Sequence, residues 1–91
     1  MPRVLIIIPA YNEQESIGAV LASLREHAPD YDVVVIDDGS RDNTRSIARG
    51  AGAEVIRLPV NLGIGGAVQT GFKYAWRNGY DVAVQCDADG Q

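Results

Sequence analysis

The chain has 91 residues, 22% of them charged, with 12 acidic against 8 basic side chains and a net charge of −4. That length suits one small domain, and the interspersed charges hold no basic run of the kind that grips nucleic acid, which sets that partner class aside. The longest apolar stretch, residues 4–8, is far too short for a bilayer span and too close to Met1 for a signal peptide, and one cysteine, Cys86, excludes an internal disulfide framework and fits a reducing, cytoplasmic setting.

In chain order, the first expected element is a strand over 3–8, apolar on both faces as a covered parallel strand would be. Pro9 has no N–H and is expected to end it. Helical spacing follows, with Ile17, Val20, Leu21 and Leu24 at i, i+3, i+4 and i+7. Asn12 with Glu15 resembles a capping box, Pro29 lies beyond the stop, and Glu13 falls in the first turn, where its charge suits the macrodipole. A second strand is expected over 32–37, then a short helix over 41–49 capped by Ser40 or Asp42. The third strand spans 53–58 and the third helix about 65–78, ended by Gly79. This helix presents Val68, Phe72, Ala75 and Trp76, with Phe72 and Trp76 read as core. The fourth strand covers 81–86 and buries Cys86.

Strand–helix–strand units of this length need right-handed crossovers. The expected fold class is therefore α/β, an open, doubly wound parallel sheet in the order 3-2-1-4. Ligands of such sheets bind outside the carboxyl ends of the strands at the topological switch, here between the first and fourth. Four polar clusters fall on that edge: Tyr11-Asn12-Glu13, Asp37-Asp38-Gly39-Ser40, Asn61 to Gly66, and Asp87 to Gln91.

The last cluster, Asp87-Ala88-Asp89-Gly90-Gln91, pairs two carboxylates one residue apart behind an apolar strand. Such carboxylates repel each other and lose water, so they invite a hard cation. Mg2+ or Mn2+ held by one or two carboxylates plus substrate phosphates is the expected form. In an extended segment Asp87, Asp89 and Gln91 point the same way and converge on one ion; a solvated turn is the plain alternative. Asp38 can accept from a nucleobase N–H, while Asp38-Gly39 also suits a turn and Asp37 a structural role. Tyr11 offers a stacking surface or simply covers the sheet's end, and Glu13 suits a ribose hydroxyl as well as a helix start. The glycine loop from Asn61 to Gly66 resembles a phosphate cradle. Val68 stands where a dinucleotide fingerprint needs glycine, so the loop better serves to start a helix close to a nucleotide.

Together, Val4-Leu5-Ile6-Ile7-Ile8-Pro9-Ala10-Tyr11-Asn12-Glu13, Ile36-Asp37-Asp38-Gly39-Ser40, Asn61-Leu62-Gly63 and Asp87-Ala88-Asp89-Gly90-Gln91 resemble the nucleotide-binding half of family-two glycosyltransferases. The glycine-rich Asn61–Gly71 segment and Gln91 are similar to the dolichyl- or polyprenyl-phosphate sugar synthase branch. The resemblance implies a Rossmann-like GT-A fold and transfer of a sugar from a UDP- or GDP-sugar to a lipid-phosphate or glycan acceptor. It implies that Pro9, Tyr11, Glu13, Asp38 and Asp87 line the nucleotide. Asp87 and Asp89 would form the DxD pair at the diphosphate and its metal, with Gln91 completing the coordination. It further implies that residues 1–91 are the donor-binding half of the domain, that the acceptor half and its general base lie beyond Gln91, that the parent works at the cytoplasmic face of a membrane, and that this chain alone binds nucleotide without turnover.

Two other readings compete. Asp87-Ala88-Asp89-Gly90 also resembles the nucleophile loop of haloacid-dehalogenase-type phosphatases, although there the motif follows the first strand and here the fourth. A non-catalytic nucleotide-binding module is the other. The fourth strand, left at an edge, is also expected to pair with a second copy of the chain.

Overall fold

Leucine, isoleucine and valine fill the first two strands so densely that both faces of each need cover, and this decides the architecture. In the computed structural model, which describes residues 1–89, β1 (Val4–Ala10) and β2 (Asp32–Asp37) are the inner strands, with β3 (Glu54–Arg57) and β4 (Val82–Gln85) at the edges. All pairings are parallel and the order is β3-β2-β1-β4, the arrangement expected from the sequence.

The pleat sends alternate β1 residues to opposite layers. Ile6, Ile8 and Ala10 join Val35 of β2 under α1 (Ile17–His27) and α2 (Thr44–Gly50), through Ile17, Leu21 and Ala48. Leu5 and Ile7 join Val34 and Ile36 under α3 (Gly63–Arg77), through Ala67 and Ala75. Each fully buried aliphatic side chain of this kind contributes about 1.5–3 kcal/mol, an upper figure because denatured chains already hide some surface. The two inner strands therefore carry most of the fold's stability.

Several boundaries differ from expectation for identifiable reasons. β1 runs through Pro9 to Ala10 instead of stopping at Pro9. The Ala10 carbonyl accepts from Asp38 N–H on the β2 side, and the Ile7 carbonyl accepts from Cys86 N–H on the β4 side. Pro9 thus turns its missing N–H toward β4, where pairing has already ended at Gln85. No capping box starts α1. Asn12 adopts φ +53° and its side-chain oxygen accepts from Arg41 N–H, so the helix begins only at Ile17, with Ser16 before it and Glu13 in the preceding turn. α2 likewise starts later than expected, at Thr44, because residues 40–43 are engaged with the β1–α1 loop. α3 starts earlier, at Gly63.

The largest correction concerns α3. Phe72 is 46% and Trp76 85% exposed, so neither is core. The helix seats itself instead on Ala67, Gly71 and Ala75, which are all buried. Small residues there bring the helix axis close to β1. Cys86 is only half-buried, just past β4.

At the amino ends of the strands a polar cluster fastens the floor of the sheet. Tyr80 Oη donates to Asp32 Oδ2 at 2.6 Å, and the Arg3 guanidinium lies 4.3 Å from the Tyr80 ring centroid. Burial and the neighbouring Asp32 carboxylate push the Tyr80 phenol up to about 12. Among the described residues no helix is long and apolar enough to cross a membrane.

Candidate functional site

The carboxyl edge of the sheet is built by two loops that exchange hydrogen bonds. After β1, three successive backbone N–H groups of Asn12, Glu13 and Gln14 donate to Ser40 Oγ, Thr44 Oγ1 and Asp42 Oδ2 at 2.9, 2.8 and 3.2 Å. In return Arg41 N–H and Asn43 N–H donate to Asn12 Oδ1 and Gln14 Oε1 at 2.9 and 3.1 Å. Thr44 is completely buried, and its hydroxyl both accepts from Glu13 and donates to Asp42. The five backbone N–H donors of this exchange lie in loops, outside the strand and helix ladders, which explains the run of Ser, Asp, Asn and Thr after β2. The loop carrying Tyr11 and Glu13 is thereby fixed before any ligand arrives. Tyr11 itself is 44% exposed and Pro9 half-buried beneath it in sequence.

Burial alone would raise the Asp42 carboxyl, but the bonds from Thr44 and from the Gln14 N–H outweigh it and hold the group below its ordinary value of 3.8. A depressed folded-state value contributes stability above the unfolded value and loses it as pH falls through the folded one. Asp42→Asn is therefore expected to cost about 1 kcal/mol near neutrality and to flatten the loss of stability below about pH 4. Urea unfolding at pH 7, 4 and 3 checks this, and an unchanged acid limb in the variant would contradict it.

Asp37 and Asp38, both buried at the end of β2, have distinct duties. Asp37 Oδ1 accepts from Ser40 N–H at 3.0 Å and closes the turn, the structural role expected for it. Asp38 Oδ1 accepts from Leu62 N–H at 2.7 Å, and its carbonyl accepts from Asn61 Nδ2 at 3.1 Å. Leu62 is the residue that caps α3, so the carboxylate sits at the positive end of a 15-residue helix. Sequence reasoning missed this duty, which adds to any ligand role. A carboxylate offers about four acceptor positions, and Leu62 takes one. Gly39 between the loops has φ +80°, a backbone conformation that strains any other residue, and a Cβ there would press on Asn61 N at 3.2 Å.

Beyond β4, Ala88 is 4% exposed and packs into the α1 layer of the core. Its carbonyl accepts from Ser16 Oγ at 2.9 Å. Anchoring the central residue leaves Asp87 and Asp89 on either side of it exposed at the carboxyl edge. Two hard oxygen donors in that position fit a divalent cation that draws its remaining ligands from phosphate and water. Among the described residues no three His, Cys, Asp or Glu side chains gather into a ready-made metal cage. Gln91, the expected third ligand, lies outside the described residues.

The structure thus brings the first three loops into one bonded unit and ties the fourth to the start of α1. Asp38 leans toward α3, while Asp89 borders a shallow hollow with Ser16, Ala19, Val20 and Ser23 on the α1 side. Asp38 follows β2 and Asp89 lies beyond β4, the two strands that neighbour β1. A cavity of about 370 Å³ lined by Leu5, Arg25, Asp32 and Tyr80 opens at the opposite, amino end of the sheet and takes no part. The residues that sequence reasoning overlooked are Ser16 and Thr44, while Asp42, expected as a cap of the second helix, accepts from the Thr44 N–H and also from the Gln14 N–H. Nothing local to Ser16 shows that its hydroxyl turns 72 residues down the chain.

Comparison with known proteins adds the following. Residues 5–91 match the family model of glycosyl transferase family 2. The undecaprenyl-phosphate mannosyltransferase of Micrococcus luteus is 45% identical over 93 residues, covering 97% of this chain and 38% of the relative. The mannosyltransferase PcManGT of Pyrobaculum calidifontis, solved with GDP-Man and Mn2+, superposes with a TM-score of 0.86 at 28% identity, over 97% of this chain and 28% of that one. The glucosyl-3-phosphoglycerate synthase of Mycobacterium tuberculosis, solved with Mn2+ and UDP-glucose, gives a TM-score of 0.79 at 28% identity, over 97% and 33%. The chain spans about two fifths or less of the length of these proteins.

Proposed function

The chain belongs to glycosyl transferase family 2, and from this we propose that it is the donor-binding part of an enzyme transferring a sugar from a UDP- or GDP-sugar. The observation that carries the reading is the buried Ala88, which holds Asp87 and Asp89 out at the carboxyl edge. In this reading Asp87 and Asp89, with Gln91, hold Mg2+ or Mn2+ against the donor diphosphate. Once bound, the ion supplies positive charge that offsets the negative charge growing on the departing nucleoside diphosphate. Asp38 accepts from the base, Tyr11 and Pro9 line its face, and Glu13 accepts from a ribose hydroxyl. The interlocked loops hold these groups in place, which lowers the ordering cost of binding.

Mn2+ and a nucleotide sugar in both solved structures support the metal and the donor class. The undecaprenyl-phosphate relative supports a polyprenyl-phosphate acceptor. No residue of the chain is assigned as general base, and the 91 residues by themselves are expected to bind without turnover. Nothing in the comparisons supports a phosphatase reading of Asp87. The single free cysteine, Cys86, supports a reducing, cytoplasmic setting. Calorimetric titration with UDP and GDP, with and without Mn2+, tests the proposal. Binding that requires the metal is expected, and binding indifferent to it would overturn the reading.

The same proposal includes self-association at β4. Val82 and Val84 are each 43% exposed on this edge strand, which pairs with β1 on one side. Edges of that kind are templates for a second strand unless charge is placed on them. Sedimentation velocity is expected to show a dimer that Val84→Lys converts to monomer; a wild-type monomer throughout the micromolar range would remove the idea.

A further inference from the structure

Ser16 occupies the residue before α1, the position where a serine normally accepts a bond from the backbone N–H two or three residues on. Here it makes no such cap. Its hydroxyl donates instead to the Ala88 carbonyl at 2.9 Å, with Glu13 oxygens more distant at 3.4 and 3.5 Å. A hydroxyl has one proton, so the short contact takes it. The Glu13 carbonyl closes the turn in its place, accepting from Ser16 N–H and Ile17 N–H at 3.1 and 2.9 Å. Backbone carbonyls thus take the Ser16, Ile17 and Val20 N–H groups, and the serine side chain is turned to a different task.

That task follows from what Ala88 separates. We propose that Ser16 is a positioning residue for the donor site, fixing the Ala88–Asp89 peptide so that Asp89 is presented beside Asp87 to a divalent ion and its diphosphate. The inference rests on the family reading above and goes beyond it in assigning a residue outside the aspartate motif. Two independent anchors act on Ala88. Its side chain packs with Ile17 and Leu21 of α1 in the core, and its carbonyl is held by the residue next to Ile17. The methyl group fixes position but leaves the peptide plane free to rotate. The Ser16 bond removes that rotation for the Ala88–Asp89 peptide, on which the direction of the Asp89 side chain depends. The same serine lies at the end of the turn carrying Glu13, so the loop assigned to the nucleoside and the loop assigned to the metal share one support.

Manganese paramagnetic resonance, which counts free ion, is the test. The full chain is titrated with Mn2+ in the presence of UDP or GDP, as wild type, Ser16→Ala and Ser16→Thr. Ser16→Ala is expected to weaken Mn2+ binding about five-fold, the worth of one hydrogen bond. Ser16→Thr, which keeps the hydroxyl, should restore the metal affinity. A purely structural serine would lower thermal stability without moving the Mn2+ titration of the folded protein, and that result overturns the inference. Wild-type protein that binds nucleotide equally with and without Mn2+ overturns the donor-site reading and this inference with it. Tight wild-type binding that Ser16→Ala leaves unchanged overturns the inference alone.

Discussion

Asp89→Asn is expected to abolish Mn2+-dependent binding of UDP or GDP, lowering affinity by about 100-fold or more, equivalent to about 2.7 kcal/mol. Asparagine keeps the shape of the side chain and one acceptor oxygen but removes the charge. A hard divalent cation loses far more from that exchange than a neutral hydrogen-bond partner would. The buried anchor of the segment is kept: Ala88 supplies it, and the Ser16 bond goes to the Ala88 backbone, which the substitution leaves alone. The measurement is calorimetric titration with and without Mn2+, alongside thermal unfolding of both proteins. Unaltered metal-dependent affinity in a folded Asp89→Asn variant would refute the assignment of this carboxylate. A loss of binding accompanied by unfolding would instead identify Asp89 as a structural residue and refute it equally.

The inner strands were legible because continuous aliphatic runs on both faces have one economical solution, a parallel sheet covered twice. Once the order followed, every polar cluster after an apolar run fell on the same edge, and Asp38, Asp87 and Asp89 emerged from position as much as from type. What stayed hidden was which of two competing partners a side chain would choose. Asn12 and Glu15 had the spacing of a cap, yet Asn12 bonds Arg41 in a neighbouring loop. Ser16 precedes α1 in the structure without capping it, and it bonds Ala88. Asp38 had the character of a ligand residue, and it also holds the start of α3. Each case sets a local bond against one from a distant stretch, and only the assembled sheet brings the distant stretch within reach. Pro9 follows the same logic. The rule against proline in a ladder is sound, but it applies to a side of the strand that has a neighbour, and β4 has ended before Pro9.

Gly71→Ala is expected to destabilise the protein by about 2 kcal/mol, although alanine is the better helix former by about 1 kcal/mol. α3 carries two overlapping rows of residues at four-residue spacing: Val68, Phe72 and Trp76 in one, Ala67, Gly71 and Ala75 in the other. Hydrophobicity favours the first row, and the structure buries the second. The reason is distance. A Cβ built on Gly71 would lie 2.3 Å from Ile7 Cγ2 and 3.1 Å from Ile7 Cγ1 and Cδ1, far inside contact. Ile7 is completely buried at the centre of the sheet, paired to β2 and β4, and its branched side chain has few other rotamers. Neither partner can yield cheaply, so the helix must lift from the sheet and loosen Ala67 and Ala75 with it. Overpacking of this kind costs about 1–3 kcal/mol in an ordinary core, and here it exceeds the helix-propensity gain. For a domain of this size the net change corresponds to a fall in Tm of about 10 °C. Gly65→Ala is the matched control, since no atom lies within 4 Å of the Cβ it would add, and it should leave stability equal or up to about 1 kcal/mol higher. Thermal and urea unfolding of the two variants separates helix propensity from seating distance. A Gly71→Ala protein as stable as wild type would mean that α3 does not rest on Ile7. The opening of α3, where Leu62 meets Asp38, would then have lost the support that places it beside the donor site.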